Sequence, residues 1–251
     1  MKHILGIDLG GTNIGVGCVA EDGSRDSGLV SEPTEAAHGA EGVLERMLDL
    51  ARRSMALAKQ EHPTLDVIGV GVGAPGPLDA ARNIIRLAPN LGWKDFPLRQ
   101  RIADGLGIPA VLDNDANCAA LGEWWQGAAR RTVNALCLTI GTGIGGGIII
   151  DGKLYHGASS AAGELGHTTI DVGGRRCKCG NYGCIEAYAS GPAIAARAVE
   201  ALETGAESKL PGMVGGDFAK ITAETVYDAA AAGDELALDV VRDTAVYLGA
   251  A

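Results

Sequence analysis

The hydrophobic and polar positions of this 251-residue chain form short apolar runs separated by amphipathic stretches. The segment from His3 to Ser24 has two apolar runs joined by a glycine turn and contains Asp22-Gly23, a pair that commonly links antiparallel strands. We expect a hairpin here and a third strand near Gly28–Ser31. From His38 to Gln60, apolar residues recur at three- and four-residue spacing, which predicts an amphipathic helix.

Further strands and helices follow from the same patterns. The apolar run Asp66–Gly73 predicts a buried strand, which Pro75 and Pro77 end. A strand at Ile108–Leu112 is expected to lead into a helix at Asp115–Gln126. Three more helices are predicted towards the end of the chain, at about Gly191–Leu202, Thr222–Ala232 and Asp234 onwards.

A second glycine-linked hairpin repeats the pattern of the first. The runs Val133–Ile140 and Gly145–Asp151 flank a glycine turn and lead into an Asp-Gly pair. This pseudo-repeat favours two similar lobes of mixed helix and strand, although two copies alone are weak support. We expect a small α/β lobe over residues 1–113 and a larger α/β lobe over residues 114–251.

Charge and hydropathy exclude two classes of partner. The formal net charge is −10, and the basic residues form no patch larger than a doublet, so nucleic-acid binding is not expected. No 18 consecutive apolar residues occur, so no membrane span is expected, and the first residues do not resemble a secretion signal. We therefore expect a cytoplasmic protein. The basic doublets are Arg52-Arg53, Arg130-Arg131 and Arg175-Arg176.

Three of the six cysteines lie close together and follow a histidine. His167, Cys177, Cys179 and Cys184 are a Cys₃His set that suits tetrahedral Zn²⁺. Because a cytoplasmic compartment is reducing, a disulfide is the least favoured alternative. The spacing differs from the common C-x₂-C, so three free thiols remain an alternative to zinc. The remaining cysteines, Cys18, Cys118 and Cys137, are predicted to be core residues.

Two glycine turns are candidate phosphate sites. The stretches Gly141–Gly146 and Gly71–Gly76 both match G-x-G-x-x-G, but neither leads into a helix, so neither is a dinucleotide fingerprint. Glycine backbones can instead turn N–H groups towards an anion, and Asp8 could hold Mg²⁺ beside it. The alternative is that both are simple hairpin turns. The candidate phosphate-binding residues are Gly10, Gly11, Thr12, Asn13, Gly141, Thr142 and Gly143.

The stretch Asp113-Asn114-Asp115 joins a predicted strand to a predicted helix. Asp115 is in a position to cap the helix, which is the structural interpretation. The functional interpretation is a general base that takes a proton from a sugar hydroxyl. Asn114 would then orient the sugar through its amide, and Asp113 would cap or position the loop.

Several motifs together resemble the ROK family of bacterial sugar kinases. They are DLGGTNIG, GVGAPGPLD, PNLGW, LDNDANCAALGEWW, LTIGTGIGGG, and GELGH followed by CKCGNYGC, and they span residues 4–186 in the family's order. The resemblance implies a two-lobed actin-like ATPase (ribonuclease H-like) fold, with mixed sheets flanked by helices and a zinc-stapled loop. In the family, ATP and sugar meet in the cleft between the lobes. Family members continue for several tens of residues, so we expect the end of the larger lobe to be missing.

The resemblance also assigns roles to residues. The second Asp of the DND motif, here Asp115, is the family's general base, and ATP with Mg²⁺ is its phosphoryl donor. The family's structural zinc would be bound by His167, Cys177, Cys179 and Cys184. The sugar ligands implied by the resemblance are Asn90, Asn114, Asp115, Glu164, His167 and Glu186.

The stretches LGWKDFPL and GELGH are most similar to the glucokinases of this family, which favours glucose as the hexose substrate. Kinases for N-acetylmannosamine, N-acetylglucosamine or fructose share nearly all of these residues and remain alternatives, as does polyphosphate as donor. A non-catalytic sugar-binding or regulatory ROK protein is a third alternative, although no helix-turn-helix module precedes the first predicted strand. The resemblance implies a homodimer or homotetramer.

Overall fold

The computed structural model describes residues 2–79, 84–88 and 91–251. The chain divides into two compact units. Unit 1 contains Met1–Cys137 and Gly147–Gly163, and unit 2 contains Leu138–Gly146 and Glu164–Ala251.

A five-stranded mixed sheet forms the centre of unit 1. Its order is β3-β2-β1-β4-β8, in which the first three strands are antiparallel neighbours and β1, β4 and β8 run parallel. Parallel strands bring their carboxyl ends to one edge of the sheet, where α/β proteins commonly bind ligands. The strands are β1 (Lys2–Leu9), β2 (Asn13–Ala20), β3 (Asp26–Pro33), β4 (Asp66–Ala74) and β8 (Ala110–Asn114).

The register of these parallel strands aligns two acidic residues. Asp8 of β1 pairs with Gly73 of β4, and Gly73 pairs with Asp113 of β8. The carboxylates predicted from two distant motifs therefore stand in one row across the sheet, with a glycine between them. This row places the predicted Mg²⁺ residue and the DND motif at the same sheet edge.

The first helix, α1 (Gly39–Glu61), packs against β2 and β3 along the face that the hydrophobic spacing predicts. Gly28 of β3 makes this packing close: its φ is 61°, and a Cβ there would lie 2.2 Å from the carbonyl oxygen of Ser54. Any larger residue would force β3 and α1 apart. The buried residues of α1 are Val43, Leu44, Met47, Leu50, Ala51, Ser54 and Ala58.

A small antiparallel sheet and a helix between β4 and β8 are absent from the sequence prediction. Its strands contain two to five residues, too few to show a period of two. Trp93 is 2% exposed and its ring lies 4.6 Å from that of Phe96, so it is a packing residue. These elements are β5 (Leu78–Asp79), β6 (Ile84–Ala88), β7 (Trp93–Phe96) and α2 (Leu98–Leu106).

The helix α3 (Asp115–Trp125) belongs to unit 1, so the boundary between the units differs from the predicted division at residues 113 and 114. The reason is that α3 packs on β4: a Cβ on Gly73 would lie 3.5 Å from the Cα of Asp115. The predicted second hairpin is present as β9 (Ala135–Ile140) and β10 (Ile144–Ile150), and β10 pairs with β11 (Lys153–Leu154).

Unit 2 consists mainly of helices, as the sequence predicts for this part of the chain. Asp234 caps the last helix through a hydrogen bond from the backbone N–H of Ala237 at 2.9 Å, and Thr222 forms a capping box. Among the described residues, no helix combines the length and apolar character needed to cross a membrane. The helices are α4 (Glu186–Ala189), α5 (Gly191–Glu203), α6 (Leu210–Met213), α7 (Ala223–Ala231) and α8 (Glu235–Ala250).

Candidate active site and metal centre

The first glycine turn connects β1 to β2 in unit 1. It is closed by a hydrogen bond from the Gly10 N–H to the Asn13 carbonyl at 2.9 Å, and Thr34 donates its hydroxyl to the Gly10 carbonyl at 2.7 Å. Neither Gly10 nor Gly11 has a left-handed φ. Glycine is needed at position 10 for space, because a Cβ there would lie 2.9 Å from the Asn13 oxygen. Gly11, Thr12 and Asn13 are exposed, so the turn can meet a ligand from solvent.

Asp8 stands immediately before this turn, at the end of β1. Its side chain remains accessible to solvent, but the surrounding protein partly desolvates the carboxyl group and raises its pKa. The negative charge of Asp115 raises the pKa of Asp8 further. Two carboxylates that repel each other at one sheet edge are an arrangement that a divalent cation would relieve.

The cap of α3 is one residue earlier than the sequence suggests. Asn114, not Asp115, is the N-cap: its Oδ1 accepts hydrogen bonds from the N–H groups of Ala116 at 3.0 Å and Asn117 at 3.2 Å. Asn114 has the extended backbone that an N-cap requires, whereas Asp115 is already the first helical residue. The Asp115 carboxylate is therefore not the N-cap: its Oδ1 accepts one hydrogen bond, from the N–H of Ala116 at 2.8 Å, and its Oδ2 accepts none of the hydrogen bonds found among the described residues.

Asp113 is held by three donors. Its Oδ1 accepts from the Asn114 N–H at 2.7 Å and from the Asn117 side-chain amide at 2.9 Å, and its Oδ2 lies 2.7 Å from His156 Nε2. The expectation that Asp113 positions the loop agrees with this network. His156 could not be predicted from the sequence, because a single histidine 43 residues from Asp113 has no spacing that points to this contact.

Cys118 lies one turn into α3, and the pKa of its thiol is affected by the carboxylates around it. Burial raises its pKa to about 12, and the carboxylates of Asp113, Asp115 and Asp8 contribute in the same direction. A neutral, unreactive thiol fits the predicted packing role. The same influence shows that the three carboxylates of the two motifs concentrate negative charge in one region of unit 1.

The second glycine turn, Gly141–Gly143, lies in unit 2. The Gly141 N–H bonds to the Gly143 carbonyl at 2.9 Å, and the Gly141 carbonyl accepts from the N–H of Gly191 at 2.8 Å, at the start of α5. The N–H of Ile144 donates to Glu186 Oε2 at 2.9 Å. A Cβ on Gly143 would lie 2.6 Å from this oxygen, so glycine makes room for the glutamate.

The four predicted metal ligands converge in unit 2. One ligand atom from each of His167, Cys177, Cys179 and Cys184 lies within 4.8 Å of the others. The Sγ atoms of Cys179 and Cys184 are 3.7 Å apart, and His167 Nδ1 is 3.9 Å from the Cys177 Sγ. Zn–S bonds of about 2.3 Å in a tetrahedron place two sulfurs about 3.8 Å apart, so these residues fit zinc.

The pKa values of the thiols in this cluster are shifted in different directions. Burial raises the pKa of Cys177 to about 12 and raises that of Cys184, while a backbone hydrogen bond from Asn181 lowers the pKa of the exposed Cys179. Zinc binding requires thiolates, so metal uptake would release protons.

The predicted sugar ligands of unit 2 adjoin this cluster. His167 Nδ1 faces the cysteines, while its Nε2 lies 3.9 Å from Glu164 Oε2. Glu186 Oε1 is 3.7 Å from the Cys177 Sγ. The two imidazole nitrogens thus face different partners. Asn90, the remaining predicted sugar ligand, lies outside the described residues.

The segment from His167 to Cys184, called the cysteine loop below, is packed around the side chain of Tyr188. The Tyr188 hydroxyl accepts from the Arg175 N–H at 2.7 Å and donates to Asp171 Oδ2 at 3.1 Å. Gly183, with a φ of 73°, brings the chain so close that a Cβ would lie 1.7 Å from the Asp171 carbonyl oxygen. The loop is thereby tied to α4, which begins at Glu186.

The model of the ROK family matches residues 4–251 of this sequence. The chain belongs to the ROK family. A glucokinase from Halalkalibacterium halodurans is 39% identical over 255 residues, which cover 99% of this chain and 74% of that protein. A ROK family glucokinase from Streptomyces griseus, solved in complex with glucose and AMPPNP, has a TM-score of 0.82 at 36% identity, covering 98% of this chain and 77% of that one.

The ROK family also includes regulators that resemble this chain. A xylose repressor from Caldicellulosiruptor bescii is 35% identical over 209 residues, or 83% of this chain and 51% of the repressor. The likeness to the solved ROK structures confirms the predicted α/β actin-like ATPase fold with mixed sheets and flanking helices.

Proposed function

We propose that this ROK protein is a sugar kinase that transfers the γ-phosphoryl group of ATP to the 6-hydroxyl of glucose, with Asp115 as the general base. The glucokinase from H. halodurans and the S. griseus glucokinase that holds glucose and AMPPNP support this function. The observation that carries the role of Asp115 is the position of the cap. Because Asn114 caps α3, the Asp115 carboxylate is available for proton transfer at the sheet edge.

In the proposed step, Asp115 takes the proton of the 6-hydroxyl while that oxygen forms a bond to the γ-phosphorus. The bond between the γ-phosphorus and the oxygen shared with the β-phosphate breaks, and ADP leaves with the electron pair. The products are glucose 6-phosphate, ADP and a protonated Asp115, which returns its proton to water. General bases of this kind contribute about 10²–10⁴-fold in rate.

The two glycine turns are proposed to bind phosphate oxygens. Gly10, Gly11, Thr12 and Asn13 offer an exposed turn at the sheet edge. The turn of Gly141, Thr142 and Gly143 is braced through Ile144 and Glu186. Asp8 would hold Mg²⁺, which when bound would neutralise phosphate charge. Burial and the negative charge of Asp115 raise the pKa of Asp8, and a bound cation would counter both effects.

The sugar is proposed to be bound by Asn90, Asn114, Glu164, His167 and Glu186. Asn114 uses its amide oxygen for the cap, which leaves the NH₂ group to donate to a hydroxyl. Glu164 is half-exposed, so its oxygens can accept from sugar hydroxyls.

A structural zinc ion is proposed for the cysteine cluster. His167 and the three cysteines would fill all four tetrahedral positions, leaving none for water, which is typical of a structural site. Zinc would fix the loop, and through the loop it would orient His167 and Glu186.

The experiment is a coupled assay with ATP and a panel of glucose, fructose, N-acetylglucosamine and N-acetylmannosamine. We expect glucose to have the highest kcat/KM, and Asp115→Asn to lower kcat at least about 100-fold. Asp49→Asn, an exposed carboxylate on α1, is the matched control and should leave kcat unchanged. Polyphosphate is tested as donor in the same panel.

The xylose repressor among the relatives makes a sugar-responsive regulator the second candidate function. The same samples distinguish it by calorimetry with glucose. Sugar binding without turnover in the unmodified chain would favour the regulator and contradict the kinase.

A further inference from the structure

We propose that His156 is a positioning residue for the proposed general base, acting through its hydrogen bond to Asp113. The inference rests on the proposed function of Asp115. Its starting observation is the contact of 2.7 Å between His156 Nε2 and Asp113 Oδ2, which joins two segments of unit 1 that lie 43 residues apart.

Asp113 organises the start of α3. Its other oxygen accepts from the Asn114 N–H and from the Asn117 side chain, so the carboxylate ties the end of β8 to the first turn of the helix. Asn117 is 5% exposed, and its Oδ1 has no hydrogen-bond partner among the described residues. The orientation of Asn117 therefore depends on its bond to Asp113. Asp115 lies between these anchored residues.

Without a partner for its Oδ2, Asp113 could rotate and weaken both bonds. His156 supplies that partner from outside the strand-helix junction. Nε2 carries a hydrogen in one neutral tautomer of the imidazole and in the imidazolium ion, and either form can donate to Asp113 Oδ2.

The backbone holds His156 in place. It follows β11, and its carbonyl accepts from the N–H of Ala162 at 3.1 Å, which closes a short loop. Gly157 has a φ of 72°, and a Cβ there would lie 3.0 Å from that of Ala162, so the loop is tight after the histidine. This closed loop fixes the position of the His156 ring, which can therefore hold the Asp113 side chain in one orientation.

The consequence is a loss in chemistry more than in binding. A base displaced by a fraction of an ångström from the hydroxyl slows proton transfer steeply, whereas the binding of a sugar with several ligands changes less. His156→Leu should lower kcat about 10- to 100-fold, with a smaller rise in the sugar KM. His156→Gln keeps a side-chain N–H at similar reach and should restore kcat to within about threefold of the original.

The test measures kcat and KM for His156→Leu, His156→Gln, Asp113→Ala and the double variant Asp113→Ala/His156→Leu. If His156 acts through Asp113, the leucine substitution should have little further effect on kcat in the Asp113→Ala background. Equal losses in both backgrounds, or a normal kcat for His156→Leu, would overturn the proposal. His38→Gln, at an exposed histidine, is the control.

Two results keep this inference separate from the proposed function. If the original chain turns over hexose and Asp115→Asn does not, a normal kcat for His156→Leu would rule out the positioning role of His156 and leave the proposed function intact. If Asp115→Asn is fully active, the proposed base itself fails. Should His156→Leu not fold, the pair His156→Asn and His156→Gln replaces it, since the shorter amide should lose kcat and the longer one should keep it.

Discussion

The junction at Asp113–Asp115 in unit 1 and the cysteine loop in unit 2 hold functional side chains in different ways. The junction lies where a regular strand becomes a regular helix, and each side chain is held by hydrogen bonds within the protein. The cysteine loop has isolated bridges, Thr169 to Cys184 and Arg176 to Tyr182, and left-handed glycines. Regular structure and hydrogen bonds hold the first site, whereas the proposed zinc ion would hold the second.

Removing the proposed zinc ion is expected to have the largest effect on local stability, and this effect should be confined to the cysteine loop. A strong chelator should abolish hydrogen-exchange protection across residues 167–188, because metal binding supplies the folding free energy of such a loop. The strands β1, β4 and β8 should keep their protection. If protein shown to contain no zinc keeps full hydrogen-exchange protection in this loop, zinc does not stabilise the loop.

Cys179→Ser tests whether sugar binding depends on the proposed zinc ion. The variant should lose zinc and raise the sugar KM about 10- to 100-fold, because the orientation of His167 and Glu186 depends on the metal. Zinc content by mass spectrometry and KM by the coupled assay are the two measurements. Cys137→Ser, at a half-buried cysteine outside the cluster, should change neither. An unchanged KM in a zinc-free variant would refute the link between metal and sugar.

The third test concerns the part of the loop that needs no metal. Tyr188→Phe removes the acceptor of the Arg175 N–H and the donor to Asp171, which should cost about 1–3 kcal/mol in the free energy of unfolding. Urea denaturation measures this cost. Tyr227→Phe, at an exposed tyrosine on α7, is the control. Equal stability of the two variants would mean that Tyr188 does not anchor the loop.

The smallest effect is expected at the cap of the junction. Asn114→Ala should destabilise the protein by about 0.5–2 kcal/mol, because the N–H of Asn117 loses its acceptor and the N–H of Ala116 keeps only Asp115 Oδ1. Asn114→Ser keeps an acceptor and should recover most of this loss. If alanine and serine are equally stable, the hydrogen bonds of Asn114 do not hold the junction.

Local patterns in the sequence predict much of this fold. The helix α1 follows from apolar spacing, since it buries one continuous face, and β4 follows from an apolar run whose last residues are buried on both faces of the sheet. The short strands β5 to β7 do not, because their stability comes from neighbours brought by the chain rather than from their own pattern. The register that aligns Asp8 with Asp113 through Gly73 is likewise a property of the sheet.

The candidate site shows the same division. The Cys₃His set is predictable because four potential ligand residues cluster in the sequence, and the four residues do converge. The sequence pattern favours Asp115 as the N-cap of α3, whereas the structure has Asn114 there. Backbone angles at the strand-helix junction decide between these neighbours, and the sequence does not show them. His156 and the bond from Ile144 to Glu186 bring together residues 43 and 42 positions apart, with no repeated spacing to indicate them.

The proposed function depends on the Asp115 carboxylate, which is proposed to activate a sugar hydroxyl. The most direct measurement follows the γ-phosphoryl group of ATP into glucose by ³¹P NMR, with glucose affinity measured calorimetrically on the same samples. We expect glucose 6-phosphate from the original chain, and glucose binding without product from Asp115→Asn. Product formation by Asp115→Asn at the original rate would show that Asp115 is not the general base.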